Sequence, residues 1–182
     1  LNTGRFGFGL ARREMETVDA IKSISFTVNK AEAVGLIGLN GAGKSTLLKL
    51  VTGVLVPSSG ELTVDGLDPS ADRKKVAREI GVVFGHRSQL WWDAPLKDSM
   101  EVLRLIYSVG KADYERRLSD LVELLQLGDL ILRAPRQISL GQRVRGEILA
   151  SLLHSPKLLI LDEPTVGLDI IAKARIRTLI RS

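Results

Sequence analysis

Eight consecutive residues carry the strongest chemical signal in the chain: Gly38-Leu39-Asn40-Gly41-Ala42-Gly43-Lys44-Ser45 reads as glycine, four residues of any kind, glycine, lysine and serine. Glycines at 38, 41 and 43 open backbone angles closed to other residues and leave the peptide N–H groups uncovered, so this loop can wrap a polyphosphate. Lys44 offers a point charge to the terminal phosphates, the Ser45 hydroxyl offers a ligand to a magnesium ion, and Thr46 completes the set expected to bind nucleotide. The same letters also suit a glycine-rich turn with a chance lysine. The flanks favour the first reading: the apolar run Ala33-Val34-Gly35-Leu36-Ile37 predicts a buried parallel strand, and Lys44 to Leu50 opens a helix whose N-terminus would meet the phosphates.

A second chemical group stands far along the chain, at Leu158-Leu159-Ile160-Leu161-Asp162-Glu163. Four apolar residues predict a central strand ending in two carboxylates, and ligands of open α/β sheets bind at such strand ends. Asp162 is suited to hold magnesium opposite Ser45, directly or through water, and Glu163 to polarise an attacking water. A strand-end carboxylate facing solvent is the plainer account of Glu163.

Several elements must position these groups. Ile21 to Val28 alternates apolar and polar residues at the period of a half-buried strand, with a turn at Asn29-Lys30. Pro57-Ser58-Ser59-Gly60 breaks the chain, and Glu61 to Gly66 predicts a further strand ending in a turn, so a small antiparallel sheet is expected beside the parallel core. Asp72 to Glu79 reads as a charged surface helix and Ile80-Gly81-Val82-Val83-Phe84 as an apolar strand. From about residue 98 to residue 137 the period is helical, with Met100, Leu103, Ile106 and Tyr107 on one face and Leu118, Leu121, Leu124 and Leu125 on another. Pro135 closes that block, and a helix from about Gln142 to His154 leads to the last strand. The predicted fold is α/β, a mainly parallel sheet with a small antiparallel β subdomain and a helical insert. Its parts are residues 1–97, the helical subdomain 98–137, and residues 138–182 with the strand-end carboxylates. Residues 1 to 16 are rich in glycine and arginine and receive no function.

With 182 residues, 45% of them hydrophobic and 26% charged, the composition is that of an ordinary globular domain. No apolar run is long enough to span a bilayer and Leu1 to Arg5 lacks the apolar core of a signal peptide, so a cytoplasmic setting is expected. The chain has no cysteine, which removes disulfides and thiolate metal sites. Its net charge of +5 is spread among acidic residues, as on solvated helix faces; the denser group Arg133, Arg136, Arg143 and Arg145 suits either solvent, a nucleotide or a partner. The chain begins without methionine and stops at Ser182 inside an apparent helix, so it is expected to be a fragment.

Taken together these motifs resemble the nucleotide-binding subunit of an ATP-binding cassette (ABC) protein. The phosphate loop, Ile138-Ser139-Leu140-Gly141-Gln142, Asp162-Glu163-Pro164-Thr165 and Gly167-Leu168-Asp169 follow the order and approximate spacing of that family, and the resemblance covers nearly the whole chain. It implies a P-loop NTPase core, magnesium as cofactor and ATP as substrate. It also implies that two subunits close head to tail, so that Ser139, Leu140, Gly141 and Gln142 of one cover the γ-phosphate bound to the other. A serine with a helix N-terminus behind it suits that task, although an ordinary serine N-cap has the same letters. Leu140 departs from the family pattern, which has glycine there. The family's switch-region glutamine falls on no single residue of Phe84-Gly85-His86-Arg87-Ser88-Gln89-Leu90, and both His86 and Gln89 stay open for that role. The family's adenine-stacking ring has no clear counterpart either, with Phe6 or Phe8 as substitutes. The switch histidine would lie beyond Ser182, so the chain as given is expected to bind nucleotide better than it hydrolyses it.

Within the family, the short helical insert, the Phe84 to Asp93 segment and Ser139-Leu140-Gly141-Gln142-Arg143 look like subunits of bacterial exporters with type-2 permeases. On that resemblance the partners are a second ATPase subunit, like or unlike, and a multi-span permease holding the chain at the cytoplasmic face of the membrane. No nucleic acid is expected. Trp91 and Trp92 then serve either as anchors to the permease or as packing inside the subunit. The alternatives are an ATP-dependent dimerisation clamp without turnover and a DNA-maintenance ATPase.

Overall fold

A computed structural model describes residues 19–85 and 87–164, in two compact units divided after Lys44. Within the first unit the Asn29 turn forms: its backbone and side-chain N–H groups both donate to one Glu32 carboxylate oxygen, at 2.7 and 3.1 Å, and Glu32 N donates back to Asn29 O at 3.1 Å. The two strands predicted on either side of that turn, Ile21–Val28 and Ala33–Ile37, have no ladder. Alternation marks one apolar face but cannot supply a hydrogen-bonded neighbour, and here Ile24, Phe26, Val34 and Leu36 stay substantially exposed.

The second unit carries the regular elements. Helix α1 (Lys44–Val51) leads through turns to α2 (Arg73–Glu79) and directly into strand β1 (Ile80–Phe84). Between them the predicted strand at Glu61 to Gly66 reduces to one antiparallel bridge, Val64 to Leu67, closed by N–H to O bonds of 2.8 and 3.0 Å. Asp65 and Gly66 both take positive φ, 51° and 76°, as a two-residue primed turn demands, so the Asp-Gly pair makes a tight reversal without strand length on either side. Helices α3 (Leu96–Ile106) and α4 (Lys111–Leu124) follow, then two short 3-10 turns, α5 (Leu140–Leu152) and β2 (Leu158–Asp162).

Strands β1 and β2 pair in parallel with Ile80 opposite Leu158 and Phe84 opposite Asp162, so the register brings both C-terminal tips together. The main core lies between α3, α4, α5 and β1, where Leu96, Met100, Leu127, Ile148, Leu149 and Leu153 are almost wholly buried. Of the predicted helical stripes, Met100, Leu103 and Tyr107 face this core, as do Leu118, Leu121 and Leu125. Those positions follow i, i+3, i+7. Ile106 and Leu124 sit beside that stripe and are 63% and 55% exposed. Among the described residues no helix is long and apolar enough to cross a membrane.

Candidate functional site

The phosphate loop takes the backbone that its glycines allow. Gly41 and Gly43 have φ of 83° and 86°, and a methyl group on Gly43 would lie 2.6 Å from Ala20 O, so position 43 excludes a side chain both by conformation and by space. Ala42 N donates to Leu39 O at 3.1 Å, and Lys44 Nζ turns back to donate to Gly38 O and Leu39 O, at 2.6 and 2.8 Å. Two of the three ammonium donors thus serve to fix the charge at the loop, and a third N–H suits an anion. Lys44 opens α1, with Ser45 and Thr46 in its first turn. Glycine backbone at positive φ and a fixed cation are features that suit an anion.

At the far strand tips, Asp162 ends β2 and is partly buried, while Glu163 follows it exposed, with φ of 52°. Left-handed backbone at a non-glycine residue costs on the order of 1 kcal/mol, and it persists only where neighbouring structure holds it. That neighbour is the chain leaving β1. Gly85 N donates to Asp162 O at 3.1 Å, and a methyl on Gly85 would come within 3.2 Å of the same oxygen. Among the described residues no cluster of three His, Cys, Asp or Glu could hold a metal ion.

Ser139 is the N-cap of α5 and forms a full capping box: Gln142 N donates to its hydroxyl at 3.3 Å, and Ser139 N donates to Gln142 Oε1 at 2.8 Å. Leu140 follows at 38% exposure, with Gly141 behind it. The two readings of Ser139, cap and ligand contact, are therefore compatible, since the hydroxyl proton is not spent in accepting from Gln142.

Of the two switch candidates, His86 lies outside the described residues. Gln89 is tied inward: its amide Nε2 donates to Val82 O of β1 at 2.8 Å and its backbone N–H to a Glu147 carboxylate oxygen at 3.1 Å. Phe6 and Phe8 also lie outside the described residues, as does Gly167-Leu168-Asp169. The arginine group does not form one patch. Arg145 donates to the carbonyls of Leu125 and Gln126 at the end of α4, Arg136 pairs with Asp93 at 3.2 Å, and Arg143 stands over the Trp92 ring.

Sequence reasoning missed Glu147. Burial pushes its carboxyl up from the ordinary range, against hydrogen bonds from Ser88 and Gln89 that act the other way. Its only signal in the sequence is an acid among Gly146, Ile148, Leu149, Ala150 and Ser151, all buried. His154 is structural: its ring stacks on Tyr107 at 3.9 Å, Nε2 meets Ile80 O at 3.0 Å, and Nδ1 is buried with no partner.

A family model described as ABC transporter matches residues 21–166, most of the chain, including the phosphate loop, Ile138 to Gln142 and Asp162 to Thr165. The chain belongs to the ABC transporter family. It is 35% identical over 155 residues to the ABC transporter ATP-binding protein NatA of Bacillus subtilis (strain 168), a match covering 85% of this chain and 63% of that protein. It is 33% identical over 174 residues to the methionine import ATP-binding protein MetN 1 of Staphylococcus aureus (strain N315), covering 93% of this chain and 51% of that one. The chain thus spans between half and two thirds of the length of these curated relatives.

Solved structures agree on the fold. CbiO1 from Clostridium perfringens, part of the ABC transporter complex cbiONQ, superposes with a TM-score of 0.79 at 30% identity over 89% of this chain and 66% of that one. A dimeric post-hydrolysis state of an ATP-binding cassette bound to ADP and Pi superposes with a TM-score of 0.76 at 25% identity, over 89% and 73% of the two chains. The fold is therefore that of the ABC-type P-loop ATPases.

Proposed function

We propose that the chain binds and hydrolyses ATP as a subunit of an ABC exporter, coupling nucleotide-driven closure of two subunits to a separate permease. The observation that carries the catalytic part is Glu163, an exposed carboxylate in left-handed backbone just past the tip of a parallel strand. In this reading Gly38 to Thr46 hold the phosphates, with magnesium supported by Ser45 and Asp162. Magnesium, when bound, offsets the charge on the phosphates. Lys44 adds a fixed positive charge to the transferring phosphoryl group, and Glu163 orients a water for in-line attack and accepts its proton. Ser139, Leu140, Gly141 and Gln142 act on the nucleotide of a second subunit, with the hydroxyl of Ser139 as donor.

The outward direction of transport is supported by the likeness of Phe84 to Asp93 and of Ser139 to Arg143 to exporters with type-2 permeases. Trp91 and Trp92, 53% and 54% exposed, are then anchors for that permease, which holds the subunit on the cytoplasmic face of the membrane. Glu163→Gln in the whole subunit tests the assignment. The expected result is an ATP-bound dimer that persists without turnover; a variant that hydrolyses ATP at the wild-type rate refutes it. Wild-type protein that dimerises on ATP but shows no single-turnover hydrolysis would instead be a clamp without catalysis.

A further inference from the structure

Residues at three positions fasten one face of α5 to the segment leaving β1. Glu147, only 6% exposed, accepts the Ser88 hydroxyl on one carboxylate oxygen and the Gln89 backbone N–H on the other, the latter at 3.1 Å. At the neighbouring position a methyl group on Gly146 would stand 3.2 Å from Leu90 Cδ1, so the lack of a side chain lets the segment lie close to the helix. One turn earlier the guanidinium carbon of Arg143 is 5.3 Å from the centre of the Trp92 ring. Positions 143, 146 and 147 have the i, i+3, i+4 spacing of a single helix face. Their partners run in the opposite order, 92, 90, then 88 and 89. The segment is laid antiparallel along the helix.

Apolar packing accounts for Leu90 and a surface contact for Trp92, but neither accounts for a carboxylate at 147. An apolar residue of similar volume would fill the same space without desolvating a charge. What the carboxylate adds is direction. Two hydrogen bonds from consecutive residues fix both the position and the orientation of Ser88 and Gln89, whereas apolar contact would let them slide. The two ends of this connection are both placed for chemistry. Helix α5 begins at Ser139, and the chain leaving β1 begins with Gly85 bonded to Asp162.

We propose that Glu147 is a positioning residue for the nucleotide site, holding Ser88 and Gln89 to the helix that presents Ser139 so that these parts move as one body. The inference rests on the reading of the chain as an ATP-hydrolysing subunit.

The test uses the whole subunit with Glu147→Leu, Glu147→Gln and Ser88→Ala, measuring thermal midpoint, affinity for a fluorescent ATP analogue, and kcat with KM. Glu147→Leu is expected to melt at or above the wild type and keep its nucleotide affinity while kcat falls about tenfold or more, the rate equivalent of losing a hydrogen bond to a charged group. Glu147→Gln can accept from Gln89 N–H and donate to the Ser88 hydroxyl, so it is expected to restore most of kcat. Ser88 is exposed and its alanine variant keeps the fold intact, so a fall in kcat at unchanged affinity is expected there even if Glu147→Leu does not fold. Unchanged kcat in Ser88→Ala and in whichever Glu147→Leu protein folds overturns the proposal. So does a parallel fall of stability, affinity and kcat that Glu147→Gln fails to rescue, since that is the mark of a merely structural group. Failure of the wild type itself to bind or turn over ATP overturns the reading of function, and is told apart because it appears before any variant is made.

Discussion

Replacing Gly81 by alanine tests whether β1 and α5 are packed as tightly as the structure has them. Gly81 pairs with Leu159 in the ladder, and its added methyl would lie 2.2 Å from Ser151 O, 3.1 Å from Ser151 C and 3.0 Å from Pro156 Cγ. Ordinary contact begins at 3.4 Å, so the strand and the end of α5 must separate by roughly 1 Å, and the nearest obstructing atom is the Ser151 backbone oxygen, which cannot rotate away. Overpacking of that kind costs about 3 kcal/mol, the upper end for an inserted methyl group. Loss of glycine's freedom in the unfolded chain returns about 0.4–1 kcal/mol. The net loss is about 2 kcal/mol, or ~4–8 °C in melting temperature for a domain of this size. Gly146→Ala is the companion measurement. It is also buried, but its methyl would meet only the side-chain ends of Leu90 and Leu96, at 3.2 to 3.5 Å, and the helix gains about 1 kcal/mol in propensity. Thermal and urea unfolding of both variants should therefore rank Gly81→Ala well below Gly146→Ala, with the latter near the wild type. The packing argument fails if Gly81→Ala melts at or above the wild type, or if the order is reversed.

Burial lowers the basicity of His154, with Arg117 of α4 acting in the same direction and the Ile80 carbonyl and Glu79 of α2 opposing. Its folded pKa therefore lies below the unfolded value of 6.5, so the unfolded chain takes the proton first as pH falls; the stability that neutral His154 contributes is complete above 6.5 and is lost on acidification. Urea unfolding of wild type and His154→Leu between about pH 5 and 8 should show the gap between them narrowing toward acid, and a constant gap would exclude this titration. For the tryptophans, Trp91→Ala/Trp92→Ala is expected to weaken permease assembly by about 2 kcal/mol or more, as buried aromatic anchors do, with ATP affinity unchanged. Equal loss of both in a co-purification and nucleotide-binding assay would return the pair to a role inside the subunit.

The parts of the site that could be read from sequence are those whose cause is local. Positive φ at Gly41 and Gly43, the Ser139 cap completed by Gln142 three residues on, and the Asp65-Gly66 turn all depend on residues within one turn of chain. The two short apolar runs that became β1 and β2 were also readable, because strands buried between helices tolerate few polar residues. Pairing was not. Ile21 to Val28 has the alternation of a strand and Ile80 to Phe84 has not, yet only the second has a ladder, since a ladder is decided by a partner that lies 78 residues further along, at Leu158 opposite Ile80. Glu147 marks the same limit for chemistry. Its partners Ser88 and Gln89 stand 59 and 58 residues upstream, and taken alone an acid in an amphipathic helix is assigned to the solvent face. What marks it is the absence of any exposed face at that point: from Gly146 to Ser151 the helix is buried all round, so a carboxylate there has no water to turn to and must find donors in the chain. An acid inside a turn that is buried all round, rather than a motif, is the signature by which such a contact can be sought.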